Sequence, residues 1–552
     1  MADSGKRKEK NFLVQGSILA IAGVITKIIG AVYRVPLVNI LGDKGMGYYG
    51  VAFQIYAIAL TLTSYSLPLA VSKLVSARVA TGQYKNAYKV FRGAILFAIL
   101  VGGTTTAIIF FGADFIASEF MAMKLSAYAL KVLAPCILIV ALLGVFRGFF
   151  QGNGSMVPTA VSQILEQVVN AAVSIGGAYL LLKVGMKVAE EKHVKSYGAA
   201  YAAAGGTLGT VIGALSALLF LVFIFLTYRR VLKRQMRRDR RHRSESFQKI
   251  FKLLLITIAP VLLSSTVYNL CGVVDNAMFG KIMAVQGHKE SEYAALIGIL
   301  SGKYDTLINV PLAISNALAA SLIPSLILTV KTGSKKQVHN KIQLFARFDM
   351  MIAIPSAAAF IVLAKPLLDL LFFTENNQTA ASMLQLGAVS VVFYCLSTVT
   401  NAVLQGIDKM MIPVKNAAIA LGIHIVALFV MMVAFRWGIY AVIISKIVFS
   451  ASVCILNAHA LREHLGYVQE QRKTFMIPVI ASVIMGALAF LLHLVLELFI
   501  NIQIATLLTL PVAVAVYGAA LVLLGGVTES ELEQMPKGRL LIKICRKVKL
   551  FR

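Results

Sequence analysis

The 552-residue chain is short of charge, and above all short of acid: 14% of its residues are charged, and 24 Asp and Glu stand against 53 Lys and Arg. Soluble domains carry about 25% charged residues. A hydrophobic fraction of 59% and a mean hydropathy of +0.81 therefore exclude a soluble fold and place the chain in a bilayer. The five cysteines, Cys136, Cys271, Cys395, Cys454 and Cys545, include no CxxC pair and mostly sit in apolar runs, so neither a disulfide framework nor a metal site is indicated. Eight scattered histidines form no ligand cluster. No HExxH, Walker loop or GxSxG occurs, and no acidic pair borders a loop as in a glycosyltransferase, so the expectation is no enzyme and no cofactor. The net charge of +29 lies between the apolar runs and at their ends, which argues against a nucleic-acid partner.

What is abundant is apolar sequence in lengths of about 20 residues or more, the length that spans a bilayer as a helix. Fourteen transmembrane helices are expected, over 12–40, 46–71, 91–113, 126–149, 158–182, 198–227, 251–280, 294–329, 348–372, 380–404, 412–434, 437–460, 475–499 and 503–526, with the eighth broken near Pro311. The basic start MADSGKRKEKNF precedes an apolar run that is too long for a signal peptide and contains Lys27 and Arg34, so it reads as a retained first span. Most Lys and Arg fall on one side if both termini are cytoplasmic, as the excess of basic residues in cytoplasmic loops requires.

Two passages repeat. FRGFFQGNGSMVP, 146–158, is echoed by LQGIDKMMIP, 404–413, at an offset of 254 (Gln405 against Gln151). SLPLAVSKLVSARVATGQYK, 66–85, is echoed by ALAASLIPSLILTVKTGSKK, 317–336, at an offset of 251 (Thr332 against Thr81). Two motifs in one order at nearly one offset predict two six-helix lobes of equal orientation, 1–228 and 251–460, an arrangement that transporters use with a site between repeats. A basic cytoplasmic linker, 229–250, joins the lobes, extra helices occupy 461–526, and a basic tail runs over 527–552. The linker region RRVLKRQMRRDRRHRSESFQKIFK, 229–252, reads as a solvated topological signal or as a surface for anionic lipid headgroups.

Ionisable residues inside spans are costly, by about 2.5–3.5 kcal/mol each on insertion scales, so each is a candidate for function. Lys27 and Arg34 lie seven residues apart, hence on one helix face, and suit an anionic group. Ser162, Glu166 and Asn170 form an i, i+4, i+8 stripe, in which Glu166 binds a proton or cation, pairs with a basic residue of another helix, or contacts sugar. Asp275, Asp305, Asn309 and His424 are the ion-coupling candidates, and Lys303 stands beside Asp305. The ladder Gly205, Gly209, Gly213 predicts close helix packing. In the 146–158 passage Arg147 is expected to hold the inner membrane boundary, the glycines to permit a tight reversal, and Pro158 to start the next helix.

TKIIGAVYR, GYYGVAFQIY, LPLAVSKLVS, FRGFFQG and SQILEQ, taken in this order along a chain of fourteen spans, resemble the polysaccharide transporter and lipid II flippase branch of the multidrug/oligosaccharidyl-lipid/polysaccharide exporter superfamily, with its MurJ-like and stage V sporulation protein B-like members. The resemblance implies an all-α membrane protein whose two pseudo-symmetric lobes form a V-shaped central cavity. It implies alternating access and a monomer. The cavity cations, here Lys27 and Arg34, would hold the diphosphate of an undecaprenyl-linked sugar such as lipid II, and the last two helices its lipid tail. Two departures thin that anion site: Gln54 stands where the flippases have a basic residue, and Thr306 where they have an arginine, with Lys303 a turn away. The membrane potential or an ion gradient, of Na+ or H+, is the expected driving force; a multidrug/cation antiporter and a non-transporting scaffold of cell-wall or sporulation machinery remain as alternatives to this reading.

Overall fold

The computed structural model describes residues 2–64, 66–239, 245–373, 377–527 and 529. Linker positions 240–244 and the tail from 530 onward lie outside the described residues. The described chain is almost wholly helical, as a bilayer demands, since a helix satisfies its backbone polar groups internally. It divides into two compact units, 1–302 and 303–552. That division, a matter of packing, falls later than the 229–250 linker between the repeats.

The first unit contains α1 (Ala2–Thr63), α2 (Leu67–Ala80), α3 (Tyr84–Phe115), α4 (Ala127–Gly152), α5 (Val157–Glu191), α6 (Ser196–Arg238), α7 (Phe247–Val285) and α8 (Glu290–Gly298). Helix α1 is interrupted at Gly42, whose backbone (φ 63°, ψ 178°) is open only to glycine. Helix α4 packs on α2, α3 and α6, and α5 lies along α6. An aromatic knot joins α3, α4 and α6: Phe91 lies 5.2 Å from Phe146, 4.6 Å from Phe149 and 4.9 Å from Phe225, centroid to centroid. Lipid is as apolar as these rings, so close packing rather than exclusion from water holds them.

Small residues make that packing possible. A Cβ on Gly148 would meet the Pro68 carbonyl at 2.6 Å, and one on Gly152 would meet Val75 Cβ at 2.7 Å. These two glycines of the 146–158 passage therefore seat α4 against α2, and only Gly154, with φ +85°, serves the reversal. Pro158 does stand in the first turn of α5. The ladder on α6 packs as expected, Gly205 against Gly177, Gly209 against Asn170 and Ser174, and Gly213 against the Glu166 carbonyl.

The second unit contains α9 (Asp305–Thr332), α10 (Lys335–Val362), α11 (Ala364–Leu371), α12 (Asn377–Gly387), α13 (Val389–Gly406), α14 (Met411–Val433), α15 (Ile439–Leu465), α16 (Ile477–Glu497) and α17 (Ile502–Leu523). Helix α13 packs on α9, α10 and α15, and α16 pairs with α17 and leans on α10. The echo of TGQYK opens α10 with a capping box, Ser334 and Gln337 each closing on the other's backbone.

Among the described residues, twelve helical segments are long and apolar enough to cross a membrane, against the fourteen expected. The expected spans 12–40 and 46–71 fall in one such segment, Ile21–Ala80. At 1.5 Å per residue its 60 residues extend ~90 Å along the chain, three times a ~30 Å hydrocarbon core. The expected span 251–280 falls in α7, which is not among the twelve. The break foreseen near Pro311 is displaced: α9 runs through the proline, and the irregularity is a π-helical turn upstream, Ile299–Tyr304.

Candidate functional site

In the first unit the described polar groups of the apolar helices include both unpartnered cations and internally paired groups. Lys27 is exposed on α1 and has no hydrogen-bond or ion-pair partner among the described residues. Its neighbours on that stretch, Ile21, Val24, Ile28 and Val32, are 53–66% exposed, so the ammonium stands on an apolar surface. Arg34, one face along, is partly buried and donates through Nη2 to the Ser301 carbonyl at 2.9 Å, in the π-helical turn. The two cations that share a face thus differ in availability. Between them Gly30 leaves room for Gln167, whose Oε1 lies 4.0 Å from where a Cβ would stand.

Glu166 is not a free carboxylate. Arg147 reaches it through Nη2 at 2.7 Å and holds Ser162 Oγ through Nε at 3.0 Å, with side-chain exposures of 14% for Arg147 and 23% for Glu166. Arg147, expected at the inner membrane boundary, is thus ion-paired within the protein. It neutralises the stripe that was expected on α5. Asn170, the third member, donates to Tyr33 Oη at 3.2 Å and accepts from Ser174 Oγ at 2.9 Å. Gln54 packs against Gly272 of α7, beside the aromatic run Tyr49, Phe53, Tyr56, in which Tyr49 stacks on Phe53, Phe53 meets Tyr56 edge to face, and the Tyr56 hydroxyl meets Cys136 Sγ at 3.1 Å. Asp275 is buried in α7 at 1% exposure.

In the second unit Lys303 is fully buried. Asp305 does not pair with it but with Lys446 of α15, Nζ to Oδ1 3.2 Å, and the same ammonium lies 5.7 Å over the Tyr304 ring. Asn309 is exposed. His424 is buried, its Nδ1 2.8 Å from the Ser445 carbonyl and its ring edge on Phe449. An amide network at the α13–α14 turn links Asn416 to Asn457 at 2.9 Å, and Asn457 to Asn401 and Thr400 at 2.8 and 3.0 Å. Asn401 is the counterpart of Arg147 at the repeat offset of 254, so the two units stabilise equivalent turns with different chemistry.

Lys446 and Asp349 were missed in the sequence. Lys446 interrupts IYAVIISKIVF, a signal as clear as Lys27, while Asp349 sits at the margin of an apolar run and looks like a boundary residue, although it is 1% exposed. The five substrate candidates do not form one cluster within a unit: Lys27, Arg34, Gln54 and Glu166 belong to the first, Lys303 to the second.

Twelve helical segments of membrane-spanning length among the described residues define a multi-pass membrane protein, and its family and relatives place it in the multidrug/oligosaccharidyl-lipid/polysaccharide exporter superfamily. The pattern of the family described as "Polysaccharide biosynthesis protein" matches residues 12–330, more than half of the chain, and the chain belongs to that family. It is 28% identical over 550 residues to the "Uncharacterized membrane protein YabM" of Bacillus subtilis (strain 168), covering 98% of each chain. It is 24% identical over 524 residues to "Lipid II flippase MurJ" of the same organism, covering 92% of this chain and 94% of that one. Among solved structures, an inward-facing multidrug resistance MATE family transporter has a TM-score of 0.64 at 15% identity, over 80% of this chain and 94% of that chain. Lipid II flippase MurJ in an inward closed conformation has a TM-score of 0.61 at 15% identity, over 91% and 97%. These likenesses establish the fold.

Proposed function

We propose that the chain is a transporter rather than an enzyme, and that it moves an undecaprenyl-diphosphate-linked saccharide, the peptidoglycan precursor lipid II, across the cytoplasmic membrane by alternating access. Both termini are cytoplasmic in this reading. The observation that carries it is Lys27: a cation on an apolar helix surface, without a partner among the described residues where Glu166, Asp305 and Arg34 all have one. An unpartnered ammonium away from water is costly unless an anion visits it, and a diphosphate is such an anion. Relatives of this length that include a named lipid II flippase support the same substrate class. Arg34, Gln54, Glu166 and Lys303 are assigned as further substrate contacts, and Asp275, Asp305, Asn309 and His424 as ion-coupling groups for Na+ or H+. The already paired Glu166 and Asp305 would act by exchanging their partners, Arg147 and Lys446, during the cycle.

The test is rescue of a bacterial strain depleted of its lipid II flippase by the parent, Lys27→Ala and Arg34→Ala, with membrane expression monitored. The parent should restore growth and Lys27→Ala should not. Failure of a well-expressed parent would remove the lipid II assignment.

A further inference from the structure

The basic stretch 229–252 carries eleven Lys and Arg against two acids, Asp239 and Glu245, and both acids are spent on the protein itself. Asp239 is 4% exposed and accepts from the Lys85 backbone N–H at 3.0 Å. Glu245 receives Arg78 at 2.6 and 2.8 Å, and its own N–H binds Asn86 at 3.0 Å. The chain around the TGQYK turn is thereby fastened to the linker at Asp239 and Glu245. Lys249 touches Glu245 at 3.4 Å while remaining 61% exposed, and Arg229, Arg230, Lys233, Arg234, Arg237 and Lys252 are exposed.

Beside these cations the first turns of α7 form a shallow, open apolar groove lined by Phe247, Phe251, Leu255 and Ile256, with Lys252 at its edge. Gly93 of α3 receives Ile250, and Phe97 meets Phe251 at 5.8 Å, which fixes the inner side of α7. Leu255 and Ile256 are left 53% and 59% exposed. Lys89 lies 5.0 Å over the Phe247 ring, at the polar end of the groove. From Phe247 to Ile256 the helix rises ~13 Å, close to the ~15 Å hydrocarbon depth of one leaflet.

We infer that this groove is a binding site for an anionic phospholipid of the leaflet on the linker side, its phosphate held by Lys252, Lys249 and Lys89 and an acyl chain laid along Phe251, Leu255 and Ile256. The groove supplies cations at one end and apolar surface of one leaflet's depth below them; Glu245, already held by Arg78, touches Lys249 yet leaves it 61% exposed. The site does not depend on what the protein transports.

The single tryptophan, Trp437, makes the test direct. The full-length Trp437→Phe, Phe247→Trp protein is reconstituted in phosphatidylcholine vesicles containing brominated phosphatidylglycerol or brominated phosphatidylcholine at equal mole fraction, and quenching of the new indole is measured. Each basic residue near an anionic surface favours the anionic lipid about five-fold, so phosphatidylglycerol should quench at several-fold lower mole fraction. Adding Lys249→Gln and Lys252→Gln should erase the preference, the matching Arg substitutions should keep it, and millimolar inorganic phosphate should leave it unchanged. Equal quenching by the two lipids, an undiminished preference in the Gln variant, or displacement by inorganic phosphate would overturn the assignment.

Discussion

At the scale of single residues the molecule distinguishes charges that are spent from charges that are available. The Arg147–Glu166 pair is spent, and its partial burial makes loss of one partner costly. Glu166→Gln and Arg147→Gln are each expected to lower stability by about 2 kcal/mol, below the ~3–5 kcal/mol of a fully buried pair because both groups retain some exposure. The double variant should cost less than the sum, which thermal unfolding of the detergent-solubilised protein measures. Outside the helices, Glu470 in the connection from α15 to α16 supplies a pH handle. Burial pushes its carboxyl up, but the Lys473 N–H, the Thr474 hydroxyl and Arg347 outweigh that and hold it below the usual carboxylate range. A depressed carboxyl stabilises the fold fully above its unfolded value, about 4.3, and loses that contribution as pH falls through the lower folded value. Hydrogen-exchange protection of 465–473, taken relative to the intrinsic rate at each pH, should therefore fall below about pH 4 in the parent. In Glu470→Gln that protection should be lower at neutral pH and nearly insensitive to acid. Residues announced by helical spacing, Ser162, Glu166 and Asn170, were legible in the sequence. Arg147 as their partner was not, because it meets them only after the chain has turned at Gly154.

At the scale of elements the repeated motifs act as joints. In FRGFFQGNGSMVP, the phenylalanines fill the α3–α4–α6 knot, Gly148 and Gly152 admit α2, and Gly154 makes the turn. Gly148→Ala and Gly152→Ala should each destabilise by about 1–3 kcal/mol through overpacking against Pro68 and Val75. Gly30→Ala, where only Gln167 lies within 4 Å, should change stability by less than about 0.5 kcal/mol. Thermal unfolding of the three variants side by side reads the contrast, and equal losses would contradict the packing account. Composition and glycine count could mark these passages as unusual and their order as a repeat. They could not say which glycine turns the chain and which one admits a neighbour, since that depends on the facing helix.

At the scale of the whole molecule, membrane residence and all-helical architecture were legible from hydropathy alone, because a bilayer leaves a chain few choices. The superfamily was legible from motif order. The compact units were not: they divide at 302/303, where no composition shift marks the chain, whereas the linker that does carry such a shift is fastened back through Asp239 and Glu245 to the chain around the TGQYK turn. The central proposal is that this molecule carries a diphosphate-linked lipid and that Lys27 meets the diphosphate. Removing one charge-assisted contact of about 1.5–3 kcal/mol corresponds to at least about ten-fold in affinity. The direct measurement is translocation of labelled lipid II in proteoliposomes containing the parent or Lys27→Ala, with unfolding temperatures of both recorded. The account predicts protein-dependent translocation by the parent and a loss of at least about ten-fold in Lys27→Ala at unchanged stability. No translocation by the folded parent under an imposed potential or ion gradient, or equal rates for the two proteins, would contradict it.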